Sequence, residues 1–192
     1  SLRRPLVTTA SWGTLKPIPA GQLRTVAHEE VISVGDVAVK AWHTPGHAVH
    51  HISWQVGDEL FSGDVAGVKI EGGPVMPPCP PPDINIEHWQ GSLRLLRSLK
   101  LKQIYLTHYG LIPAEQIGRH LDELEAVLLQ WAGWMRPFYE QGKTAEEITP
   151  LFQAFVKAQL AAAGVAGEQY ELYENANPAW MSVAGLLRYW QK

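Results

Sequence analysis

Cysteine is nearly absent: Cys79 is the single one in 192 residues, so no disulfide can close within the chain. That usage suits a reducing compartment, and a cytoplasmic location is the expectation. No apolar run is long enough to span a bilayer, and no secretory leader pattern is visible. Lysine and arginine form no block, and the formal net charge is −3. Nucleic acid and anionic membranes are therefore poor candidates for partners, and a small molecule is the expected one. No internal repeat occurs, and the first residue is Ser rather than Met.

What is present divides into two textures. Residues 1–112 are rich in β-branched residues, Gly and Pro, and residues 113–192 in Ala, Leu, Glu and Gln. In the first part, "EEVISVGDVAVKAWHTPG" reads as two strands around Gly35-Asp36. "HISWQVGDELFSGD" reads as a second hairpin around Gly57-Asp58. "GGPVMPPCPPPD" holds six prolines, which have no backbone N–H, so it is neither helix nor ladder strand. This loop either walls a pocket or serves as a stiff connector. Leu93, Leu96 and Leu99 then recur at helical spacing, and "QIYLTH" is a short strand. Hairpins, helix and strand in this order indicate an α/β fold.

The second part reads as helices. Pro113 opens one that carries Ile117, Leu121, Leu124, Leu128, Trp131 and Met135 and runs to about Tyr139. Thr144 with Glu147 has the form of a capping box. Thr149-Pro150 is expected to open a helix ending near Gly164, and Asn177-Pro178 another bearing Trp180, Val183, Leu187 and Trp190. The aromatic residues of this extension need cover, either from a second copy of the chain or from the first part.

The chemistry concentrates in "HTPGHAVHHISW", which holds four of the eight histidines. His47 follows a strand in a Thr-Pro-Gly-His turn. Asp64 ends another strand after Ser-Gly, and His108 ends a third before Tyr-Gly. Strand ends carry sites on a rigid scaffold, and two imidazoles with one carboxylate suit Zn²⁺, Mn²⁺ or Fe²⁺.

Taken together, "HTPGHAVHHISW", "LFSGD" and "LTHYG" resemble the second half of a metallo-β-lactamase-fold hydrolase of the glyoxalase II-like group. The resemblance covers residues 30–112. It implies an αββα sandwich, of which this chain would supply the C-terminal half followed by an all-helical extension. It also implies that His47 binds a first metal, Asp64 bridges two metals and His108 binds the second, with zinc the expected ion. His51 falls where a ring nitrogen orients a ligand. Tyr109, Met76 and Trp89 are candidate substrate contacts. His50 has no assigned role, and His43 reads as structural.

One family motif, His-x-His-x-Asp-His, does not occur in the 192 residues; His28, His88 and His120 do not make it. With the missing Met, this leads to the expectation that the chain is the later portion of a longer enzyme. Three ligands are too few for a two-metal site, so the isolated chain is expected to bind one metal at most, weakly, and to hydrolyse little. Half a sandwich also exposes an apolar sheet face, which calls for the other half or a dimer mate, with the helical extension as a possible homodimer surface. The activity implied for the intact protein is attack of metal-activated water on an ester, thioester or lactone-type bond. The rivals are a non-catalytic fragment or interaction module that keeps the fold, and an iron-using redox relative.

Overall fold

The structure is a computed structural model and describes residues 16–108 and 110–192. Among these residues six strands form one sheet in sequence order: β1 (Val31–Val34), β2 (Val37–His43), β3 (Ile52–Val56), β4 (Glu59–Gly63), β5 (Gln103–Leu106) and β6 (Leu111–Pro113). β1 to β4 are an antiparallel meander, β5 pairs parallel to β4, and β6 returns antiparallel. Gly35 and Gly57 occupy the two hairpin turns at φ 59 and 58, where a side chain is strained. β6 is too short to register as a strand in the sequence.

The sheet's alternation separates two faces. Leu60, Ile104 and Ile112 lie in register on one face and are buried beneath helices. Trp54, Phe61, Tyr105 and Leu111 lie in register on the other. There Phe61 is 45% and Leu111 54% exposed, and the Phe61 and Tyr105 rings stack with centroids 4.9 Å apart. This row is an apolar face with little cover among the described residues.

Helix α1 (Ile86–Ser98) begins where the Asn85 side chain accepts from the His88 amide, and it buries Ile86, Trp89, Leu93 and Leu96. Helix α2 (Ala114–Glu140) buries Ile117, Leu121, Leu124, Leu128, Trp131 and Met135, the stripe its periodicity predicts. Helix α3 (Ala145–Ala162) corrects one expectation: it starts at the Thr144–Glu147 capping box, with Pro150 inside it. A proline this near the start removes one ladder bond, whereas the box satisfies two otherwise bare amides. Helix α4 (Gly167–Ala176) was not expected. It buries only Tyr173 and has no side-chain cap, so neither periodicity nor punctuation reveals it. Helix α5 (Ala179–Trp190) follows Pro178.

One apolar core runs from Leu60 and Ile104 in the sheet through α1 and α2 to Phe152, Val183 and Leu186 in α3 and α5. The aromatic residues of the extension are largely consumed in this packing: Trp131, Trp134, Phe152 and Phe155 meet ring against ring, and Trp180 remains 57% exposed. The proline stretch lies between the two parts. Its backbone brings carbonyls without matching N–H groups, and side chains supply the donors. Tyr173 donates to Pro74, Asn177 to Pro77 and His47 to Pro78. Gly185 lies so close to the Cys79 carbonyl that a side chain there would have no room. No helix among the described residues is long and apolar enough to cross a membrane.

Candidate functional site

β2, β4 and β5 run in the same direction, because β2 and β4 flank the antiparallel β3 and β5 is parallel to β4. Their C-terminal ends therefore open on one edge of the sheet. His47 lies in the loop after β2, Asp64 directly after β4, and His108 two residues after β5. Topology alone thus brings three distant stretches to one place, as sheet sites commonly arise.

Each is then fixed locally. Gly46, at φ 138, presses against the backbone of Trp89 with no room for a side chain. The Gly46 carbonyl accepts from the Asn85 amide and that of Pro45 from the Ser92 hydroxyl, so α1 anchors the His47 turn. The Nδ1–H of His47 donates to the Pro78 carbonyl at 2.9 Å. A carbonyl only accepts, so the proton sits on Nδ1 and, in the neutral form of the ring, Nε2 is the nitrogen with a free lone pair. That atom stands 3.6 Å from one oxygen of Asp64, and Nε2 of His108 stands 3.5 Å from the other.

His51 supports the carboxylate from behind. Its Nε2 accepts from the Asp64 amide at 3.1 Å, which leaves the proton on Nδ1 to meet the Thr44 hydroxyl at 2.8 Å. Thr44 meets Ser53, which donates to the Ser62 carbonyl. Burial pushes the His51 pKa down to about 4, with the imidazole of His47 beside it adding to the shift, so the ring is neutral and its tautomer settled. Gly63, at φ 60, leaves a Cβ only 2.5 Å from His51 Nε2. Burial raises the Asp64 pKa, but the contact with His108 and the imidazoles of His47 and His51 around the carboxylate outweigh it. The carboxyl is held below its ordinary range.

The donors suit cations. A bare imidazole nitrogen facing a carboxylate oxygen is a meeting of two acceptors, which a proton or a metal ion between them would relieve. Among the described residues no group of three or more His, Cys, Asp or Glu side chains is arranged to hold a single ion. The geometry gives the reason: the two imidazoles address different oxygens of one carboxylate. Each position is thereby offered one nitrogen and one oxygen, about half of the four ligands zinc normally takes.

The other sequence candidates fall elsewhere. Met76 is 3% and Trp89 0% exposed, so neither faces a substrate. Met76 is held in the core by its backbone pairing with Val68. Trp89 donates to the Val65 carbonyl and stands edge-on behind His47. Tyr109 lies outside the described residues. His43 donates to the Val49 carbonyl, and His50 is exposed. Thr44, Ser53 and the Pro78 carbonyl join the site without standing among the sequence candidates. Thr44 was visible inside "HTPGH"; a backbone acceptor 31 residues from His47 leaves no signal in side-chain identity.

Comparison with known proteins bears on the family and the fold. A family model described as the metallo-beta-lactamase superfamily matches residues 5–108. The metallo-beta-lactamase fold-containing protein ST1585 of Sulfurisphaera tokodaii is 33% identical over 112 residues, 58% of this chain and 42% of that protein. Its crystal structure superposes with a TM-score of 0.52 at 31% identity, over 60% of this chain and 44% of the other. The metallo-beta-lactamase family protein TTHA1429 of Thermus thermophilus reaches the same TM-score at 19% identity, over 92% of this chain and 50% of its own. That likeness concerns the fold alone. The chain spans less than half the length of the curated relative it matches.

Proposed function

The chain belongs to the metallo-β-lactamase superfamily, and from that premise we propose that it is the later portion of a metal-dependent hydrolase. In this reading the chain contributes His47, Asp64 and His108 to a centre completed by other residues. The observation that carries the reading is the Asp64 carboxylate, with each oxygen facing an imidazole from a different strand end. The open row of Trp54, Phe61, Tyr105 and Leu111 supports it too, as the face a second half of the sandwich would cover.

Zinc bound there would supply Lewis acidity and lower the pKa of water from about 15.7 towards about 7, giving a nucleophile at neutral pH. The residues of this chain do the positioning. Pro78 holds the His47 ring so that Nε2 points at the carboxylate. His51, itself held by Thr44, fixes the backbone from which Asp64 projects. The expected substrate is a small molecule with an ester, thioester or lactone bond, as the glyoxalase II-like motifs imply.

Zinc content after loading and dialysis tests this. The chain is expected to retain at most one zinc, and Asp64→Ala and His108→Ala each to lower its affinity by about tenfold or more. Retention of a full pair, or affinities untouched by both substitutions, would overturn the proposal.

A further inference from the structure

Beside His108 lies a cavity of about 830 Å³ between the loop that follows Asp64, β6, α2 and α4. It is large enough for a drug-sized ligand. Ile70, Leu111 and Leu172 give it an apolar wall. Lys69 and Arg119 also line it. Among the described residues Lys69 has no ion pair, and Arg119 has only Glu123, 3.7 Å away one turn along its own helix. Among the described residues Glu71 is the one carboxylate on the wall, against the two cations Lys69 and Arg119. An uncommitted ammonium and a loosely held guanidinium beside aliphatic side chains suit a ligand with both an apolar chain and an anionic group. Leu172 comes from α4, whose Tyr173 hydroxyl accepts from the Ile70 amide and donates to the Pro74 carbonyl. The helical extension thereby sets one wall of the cavity.

We infer that this cavity is the acyl pocket of the candidate site and selects acyl substrates that carry an anionic group. The inference rests on the hydrolase reading for the words acyl and substrate. Its binding claim stands on the cavity alone, so the test is run on metal-free chain, where loss of the metal reading changes nothing.

Octanoate, octanol and octylammonium are titrated into the EDTA-treated 192-residue chain and followed by calorimetry. Octanoate is expected to saturate one site at least about tenfold more tightly than the other two, the scale of a charged hydrogen bond. Lys69→Gln with Arg119→Gln is expected to abolish that preference while leaving the melting temperature unchanged. Leu172→Asp is expected to weaken octanoate while Lys69 and Arg119 remain. Equal binding of the three ligands, or a preference that survives the double substitution, overturns the inference. Failure of zinc binding alongside intact octanoate selectivity would sink the hydrolase reading and leave the pocket standing.

Discussion

At the scale of single residues, the site depends on side chains with no alternative. Gly63 combines φ 60 with ψ −154, a region that is essentially glycine's own, and it faces His51 without room for a methyl group. Gly63→Ala is therefore expected to cost about 1–3 kcal/mol, read as a lower urea midpoint in EDTA so that metal loss plays no part. An unchanged midpoint would mean that the His51–Asp64 backbone contact is not what holds the turn. The motif residues His47, Asp64 and His108 were legible as chemistry because their types and strand-end positions are unusual together. Thr44, Ser53 and the Pro78 carbonyl were not, because hydroxyls and backbone acceptors are common and acquire a role only through proximity.

At the scale of elements, punctuation in the chain was a good guide where it was strong. Both Gly-Asp turns, the Thr144–Glu147 capping box and the apolar stripe of α2 lie where the pattern put them. The start of α3 shows two signals in competition, and the capping box prevails over Thr149-Pro150. Thr144→Ala, which leaves Pro150 in place, is accordingly expected to destabilise the chain by about 1 kcal/mol. Thermal melting checks this; no change would return the helix start to Pro150. α4 and β6 were illegible because a ten-residue helix with one buried side chain and a three-residue strand carry almost no pattern of their own.

At the scale of the whole molecule, the helices bind back to the sheet through a buried histidine. His120 in α2 is 1% exposed and donates through Nε2 to the Ala66 carbonyl, beside the turn that carries Asp64. Burial holds its pKa below the ordinary value, more than the Ala66 hydrogen bond lifts it, and the charge of Lys69 adds to the depression. The unfolded chain takes up this proton near pH 6.5 and the folded chain refuses it, so stability is lost as the pH falls below about 6.5. His120→Gln can keep a donor to Ala66 but cannot titrate. Its urea midpoint is expected to fall less between pH 7.5 and 5.5 than that of the natural chain. Equal falls would exclude His120 as the source. His51, present in both proteins, contributes equally and cancels.

The sequence by itself determined the α/β class, the two hairpins, the main helical stripes and the residue types of a metal-binding set, because these follow from local periodicity, turn chemistry and ligand chemistry. Only the tertiary structure decided that β2, β4 and β5 point the same way and deliver three loops to one edge. It also decided that residues 75–79 of the proline stretch are buried and that carbonyls of the stretch are capped by distant side chains. These are matters of strand order and long-range approach, which depend on how elements pack and leave no mark on neighbouring residues in the chain.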